Sequence, residues 1–132
     1  MNKILKQIKN FHGHLGPYVV IGYKMGLISN QILGEDSFSK KAEVWTGINP
    51  PISCIIDGIQ MSSGCTLGKG NIKVKNYNIA KSEFTNNGRK IEIFLKDDIK
   101  TEIDTTLTEE NIIEFSEKIY NKKDDELFEI VR

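Results

Sequence analysis

Ser53-Cys54-Ile55-Ile56-Asp57-Gly58-Ile59-Gln60-Met61-Ser62-Ser63-Gly64-Cys65-Thr66-Leu67-Gly68-Lys69-Gly70-Asn71 is the stretch from which the rest of the chain is read. Cys54, Ile55, Ile56 and Ile59 repeat at helical intervals, which predicts roughly two to three turns of helix. Gly64 is the natural stop, because glycine enters the left-handed region at little cost. On that helix Cys54 falls on the same side as Asp57 and lies near Gly58. Cys65 follows just past the end. The Gly68-Lys69-Gly70 turn then offers backbone N–H groups and a lysine to an anion or carboxylate. It is not a nucleotide-triphosphate loop. Only three residues separate Gly64 from Gly68-Lys69, and Gly70 stands where a magnesium-holding hydroxyl is needed.

Upstream, lysines alternate with Ile4, Leu5, Ile8 and Phe11, an amphipathic stripe that predicts a first helix over residues 2–11. His12-Gly13-His14-Leu15-Gly16-Pro17 breaks it, and Pro17 suits the first turn of a second helix. That helix runs through Tyr18 to about Leu33, stops at Gly34, and is apolar on most faces, so it belongs inside. Gly22 and Gly26 share a face on which another backbone can approach closely. Residues 41–47 alternate as a strand, ended by Asn49-Pro50-Pro51.

Downstream, Ile72–Tyr77, Ile79–Thr85 and Lys90–Leu95 read as three consecutive antiparallel strands, with Asn87-Gly88 a hairpin signal between the last two. A final helix is expected from near Thr108, carrying Ile112, Ile113, Phe115, Ile119 and Tyr120. The tail Glu126–Val131 is expected to dock as an edge strand. Lys24, Glu35, Asp36, the acids of 97–104 and the charges of 117–126 are assigned to solvated faces. The expected fold class is α+β, in one domain over residues 1–132.

Composition excludes more than it suggests. Lysine plus arginine and aspartate plus glutamate number 18 each, so no net charge draws the chain to nucleic acid or to an anionic membrane. No apolar run approaches the ~20 residues that span a bilayer. The opening Met1-Asn2-Lys3-Ile4-Leu5-Lys6 lacks the order of a secretory signal. Two cysteines in such a chain are expected to be reduced thiols, and the protein cytoplasmic.

His12 and His14 are the only histidines. Two imidazoles one glycine apart can converge on a metal; equally, one can cap a helix end and the other face water. With Cys54 and Cys65 they make the nitrogen and sulfur donor set that zinc or iron(II) accepts. Each cysteine also fits as a small buried hydrophobe. Asp57 has two readings, as an acid favoured by the helix N-terminus or as a partner for a histidine and a proton carrier.

These residues are similar to a known family. Phe11-His12-Gly13-His14-Leu15-Gly16-Pro17 with Gly22-Tyr23-Lys24 resembles the FHGH-x-CP opening, with its later G-[YF]-[RK], of the FmdE family of formylmethanofuran dehydrogenase subunits. Cys54-Ile55-Ile56-Asp57-Gly58-Ile59-Gln60 resembles its second motif, and Gly64-Cys65-Thr66-Leu67-Gly68-Lys69-Gly70-Asn71 its glycine-rich turn. The resemblance implies N-terminal helices packed on a mixed, largely antiparallel sheet. It implies a homodimer and a divalent metal, usually zinc, with iron as the alternative, near His14, Cys54, Cys65 and His12. In this chain Gly16 replaces the family's cysteine before Pro17, and no cysteine follows Cys65, so the expectation is a single domain without the zinc-ribbon tail of longer relatives. The leading expectation is a metal-binding protein linked to formylmethanofuran dehydrogenase or to other one-carbon or redox metabolism. In it Asp57 or His12 moves protons, and Lys69, Gly68 and Gly70 hold an anion. The alternative is a non-catalytic accessory component of a redox enzyme, without a working metal site. A metal-free thiol enzyme is the third.

Overall fold

The apolar stripe near the N-terminus forms α1 (Lys3–His12) in the computed structural model, which describes residues 1–132. Asn2 caps this helix, its Oδ1 accepting from the Leu5 amide at 2.8 Å. Leu5 and Ile8 are buried, but Phe11 on the same stripe is 56% exposed and stands outside the core. Pro17 opens α2 (Pro17–Leu33), whose apolar faces are buried nearly all round.

Beside it lies α3 (Cys54–Ser63), ended by Gly64 at φ 76° as its sequence requires. Contact between these two helices is backbone to backbone. A Cβ on Gly22 would run into the Ile55 carbonyl, and one on Gly58 into the Val19 carbonyl and the Tyr23 amide nitrogen. Glycine from each helix thus fits against the other, and α3 is held in one register on α2.

Five strands form one sheet in the order β2-β1-β3-β4-β5: β1 (Lys41–Val44), β2 (Ile72–Val74), β3 (Lys81–Asn86), β4 (Arg89–Leu95) and β5 (Phe128–Val131). Asn87 and Gly88, both at positive φ, make the tight turn that sets Asn86 opposite Arg89. Ala42, Val44, Ser82, Phe84, Ile91 and Ile93 point inward, and α2 packs on β3 and β4. The expected antiparallel trio is only partly formed. β2 pairs parallel with β1, which lies between β2 and β3. Between β1 and β2 the chain passes through α3, a long connection of the kind that returns a strand parallel to its predecessor. The α+β class and the mixed sheet agree with expectation.

The acids of 97–104 are solvated as expected, Asp97, Asp98 and Asp104 being exposed; they lie on a helix, α4 (Asp97–Thr106), with Ile99 and Ile103 buried. Two local readings are corrected. The helix expected from Thr108 begins at Ile112, as α5 (Ile112–Asn121). Thr108 and Asn111 instead bond to each other, the Thr108 amide to Asn111 Oδ1 at 2.8 Å and the Asn111 amide to Thr108 Oγ1 at 3.2 Å. Lys24 is buried rather than solvated, because its Nζ donates to the carbonyls of Ile119 at 3.3 Å, Tyr120 at 2.8 Å and Lys122 at 2.5 Å. It thereby satisfies carbonyls left over at the end of α5. A short α6 (Asp124–Leu127) leads into β5, which docks at the sheet edge as expected.

Candidate metal centre

The end of α1, the turn to α2 and the first turn of α3 meet at one point. His12 is the last residue of α1, where Gly13 at φ 97° turns the chain and donates its amide to the Lys9 carbonyl at 2.8 Å. His14 follows, with its ring centroid 4.8 Å from that of His12 and the planes tilted by 49°. Cys54 opens α3, which brings its thiol to the same place. The ligand atoms of His12, His14 and Cys54 all lie within 4.8 Å of one another.

Asp57, one helical turn beyond Cys54, accepts a hydrogen bond from His12 Nδ1 at 2.6 Å. An ionised carboxylate only accepts, so Nδ1 carries the proton and Nε2 presents its lone pair. Nε2 is buried and has no hydrogen-bond partner. A buried nitrogen left unsatisfied costs about 1–3 kcal/mol, and a bound cation would remove that cost. The donor set suits zinc or iron(II). Donors on one tetrahedral ion lie roughly 3.5 Å apart given bonds of about 2.0–2.3 Å, so small side-chain rotations close the group. Burial pushes the Cys54 thiol up, and the Asp57 charge pushes it the same way. A metal binding there displaces the thiol proton.

A cleft of about 270 Å³ opens onto this group, lined by His12, Ile48, Pro50, Ser53, Cys54, Ile56 and Asp57. Residue type alone does not single out Ile48, Pro50, Ser53 and Ile56 as site residues. Their signal is positional, since Pro50 and Ser53 closely precede Cys54 and Ile56 shares its helical turn.

Cys65 does not join them. It is fully buried, with Sγ 3.5 Å from the Lys40 carbonyl oxygen and its amide bonded to Ser63 Oγ at 3.0 Å. The two cysteines flank opposite ends of α3, which separates them by about 15 Å. Lys69 lies beyond that far end and is exposed, its Nζ donating to Thr66 Oγ1 at 2.8 Å. Two amides of the glycine-rich turn are spent within it. Lys69 N–H bonds to the Thr66 carbonyl at 3.2 Å, and Gly70 N–H to that of Leu67 at 3.0 Å. The space beside Gly68 and Gly70 is open.

Residues 11–129, which include both histidines, Cys54 and Asp57, match the family described as FmdE, molybdenum formylmethanofuran dehydrogenase operon. The chain belongs to the FmdE family. A solved structure of a tungsten formylmethanofuran dehydrogenase FmdE-like protein from Syntrophus aciditrophicus superposes with a TM-score of 0.70 at 19% identity, covering 98% of this chain and 69% of that one. At that identity the likeness shows the fold. A protein of Archaeoglobus fulgidus described as a probable S-adenosyl-L-methionine-binding protein is 35% identical over 74 residues, which are 54% of this chain and 20% of that protein. The stretch that this FmdE-family chain shares with it is thus about a fifth of that relative's length. No helix of the fold is long and apolar enough to cross a membrane.

Proposed function

We propose that this FmdE-family protein binds a divalent metal, zinc or iron(II), through His12, His14 and Cys54, and serves one-carbon or redox metabolism of the kind the family's description suggests. The observation that carries the metal reading is the pairing of three convergent donors with a buried His12 Nε2 that has no other partner. Asp57 sets the orientation of His12 from the far side of its ring, an arrangement common behind metal-bound histidines. The homodimer belongs to the same reading. Phe11 and Ile48, at 56% and 75% exposed, flank the centre and offer apolar surface to a second copy; sedimentation at micromolar concentration tests for the doubled mass.

Metal content of the untagged protein is the deciding measurement. About one zinc or iron per chain is expected, lost in Cys54→Ser and in His14→Ala and kept in Cys65→Ser. No metal after incubation with zinc or iron(II) would overturn the reading and leave the non-catalytic accessory role in its place.

A further inference from the structure

We infer that the metal centre is open on the side of Gly16, where it takes a water molecule that a small monoanion can replace. This rests on the metal reading above. Gly16 lies between His14 and the start of α2, in extended backbone at φ −152° and ψ 164° that any residue adopts. No steric reason for glycine exists here. A Cβ at this position would stand 3.5 Å from His14 Cε1, 3.8 Å from His14 Nδ1 and 3.7 Å from Ile112 Cδ1, all ordinary contact distances. Gly22 and Gly58 are different, because a Cβ there would collide with backbone. What the missing side chain does at Gly16 is leave a slot beside an exposed imidazole of the donor group.

Three protein donors with one position free is the pattern that separates reactive zinc sites from closed structural ones. Two neutral imidazoles and one thiolate leave a divalent ion with a net positive charge. Asp57 does not reach it directly, being bonded to the other nitrogen of His12. That net charge favours an anion over a neutral ligand at the free position. Ile112 borders the slot and restricts it to small ligands. The chemical class is thus a monodentate anion of two or three heavy atoms, or the hydroxide formed from the water.

Cobalt(II) substitution reads this out without any assay of activity. The probe is azide, titrated into the cobalt-loaded protein while the visible d–d bands are recorded. A saturable shift is expected. Gly16→Cys should abolish it and roughly double the near-ultraviolet sulfur-to-cobalt charge-transfer band, since a second thiolate now fills the slot. Gly16→Ala, which adds a Cβ and no donor, should keep the single-thiolate intensity. Matching circular dichroism establishes that each variant is folded. A wild-type spectrum indifferent to azide would overturn the inference while leaving the metal reading intact. So would a cobalt-loaded Gly16→Cys that keeps both the azide response and the original charge-transfer intensity. Failure of the wild type to bind cobalt at all would overturn the metal reading instead. Should Gly16→Cys fail to fold, the wild-type azide titration decides alone.

Discussion

Asp57 reaches the metal centre only through His12, by the 2.6 Å bond to Nδ1. Removing that bond frees the ring to rotate and change tautomer, so Asp57→Ala should weaken metal binding roughly 10–100-fold while keeping the stoichiometry. Competition with a chromogenic chelator measures this, and an unchanged affinity would remove Asp57 from the site. The two thiols should also separate cleanly in the metal-free protein. Burial pushes both above the ordinary cysteine range, so the thiolate of half-buried Cys54 appears only as pH rises past the free value of about 8.5. Its alkylation by iodoacetamide, followed by mass spectrometry, should climb with pH above that point. Cys65, with no exposed surface, should stay unmodified until urea unfolds the chain. Residue type marked the histidine pair and the cysteines as candidate donors, and the family resemblance, not spacing, named them as a ligand set. Exclusion of Cys65 was not legible, because the resemblance implied convergence, whereas the helix between the cysteines holds them apart.

The α2–α3 contact is the element on which the site depends, since it fixes where Cys54 and Asp57 stand. Gly22→Ala would drive a methyl group into the Ile55 carbonyl, and overpacking against backbone should cost about 3 kcal/mol or more. Urea denaturation measures that loss, and metal affinity should fall with it. In the first turn of α2, Tyr18 OH donates to Asp104 Oδ1 at 2.6 Å, tying α2 to α4. Burial pushes the Asp104 carboxyl up, but hydrogen bonds from Lys100 and Tyr18 outweigh it and hold the group below its usual range. Stabilisation of this sign is complete above the unfolded value of about 3.9 and fades as pH drops through the folded one. Tyr18→Phe should therefore cost about 1 kcal/mol at pH 7 and markedly less near pH 3, by parallel urea titrations. The helix α4 itself was hidden in the sequence. Only Ile99 and Ile103 mark its inner face, and the rest of it reads as surface charge until other elements cover that face.

Across the whole molecule, one contiguous core joins the α2–α3 pair to the inner face of the sheet, and metal binding should be felt through it. A ligand bound only by the folded state at roughly a hundredfold over its dissociation constant adds about 2.7 kcal/mol. Zinc at that excess should raise the melting temperature by several degrees, and Cys54→Ser should abolish the rise. A flat response in calorimetry would mean that zinc does not select the folded state. Lys24 joins α2 to the end of α5 through its three carbonyl bonds. Lys24→Met should lower stability by about 2 kcal/mol, even though a lysine in a helix reads as surface.

Local signals in the chain were enough for the elements around the site: the stripe of α1, the Pro17 start of α2, the Gly64 stop of α3 and the Asn87-Gly88 hairpin. Each of these is written within a few consecutive residues, by spacing or by a residue with restricted backbone. The family resemblance, too, is carried by short motifs. Strand order, the burial of Lys24, the existence of α4 and the parting of Cys54 from Cys65 had no such local mark. They depend on which surfaces meet after the chain has folded back on itself. Convergence of His12, His14, Cys54 and Asp57 belongs with them, for residues 12 and 57 come together only because glycines let α3 lie directly on α2.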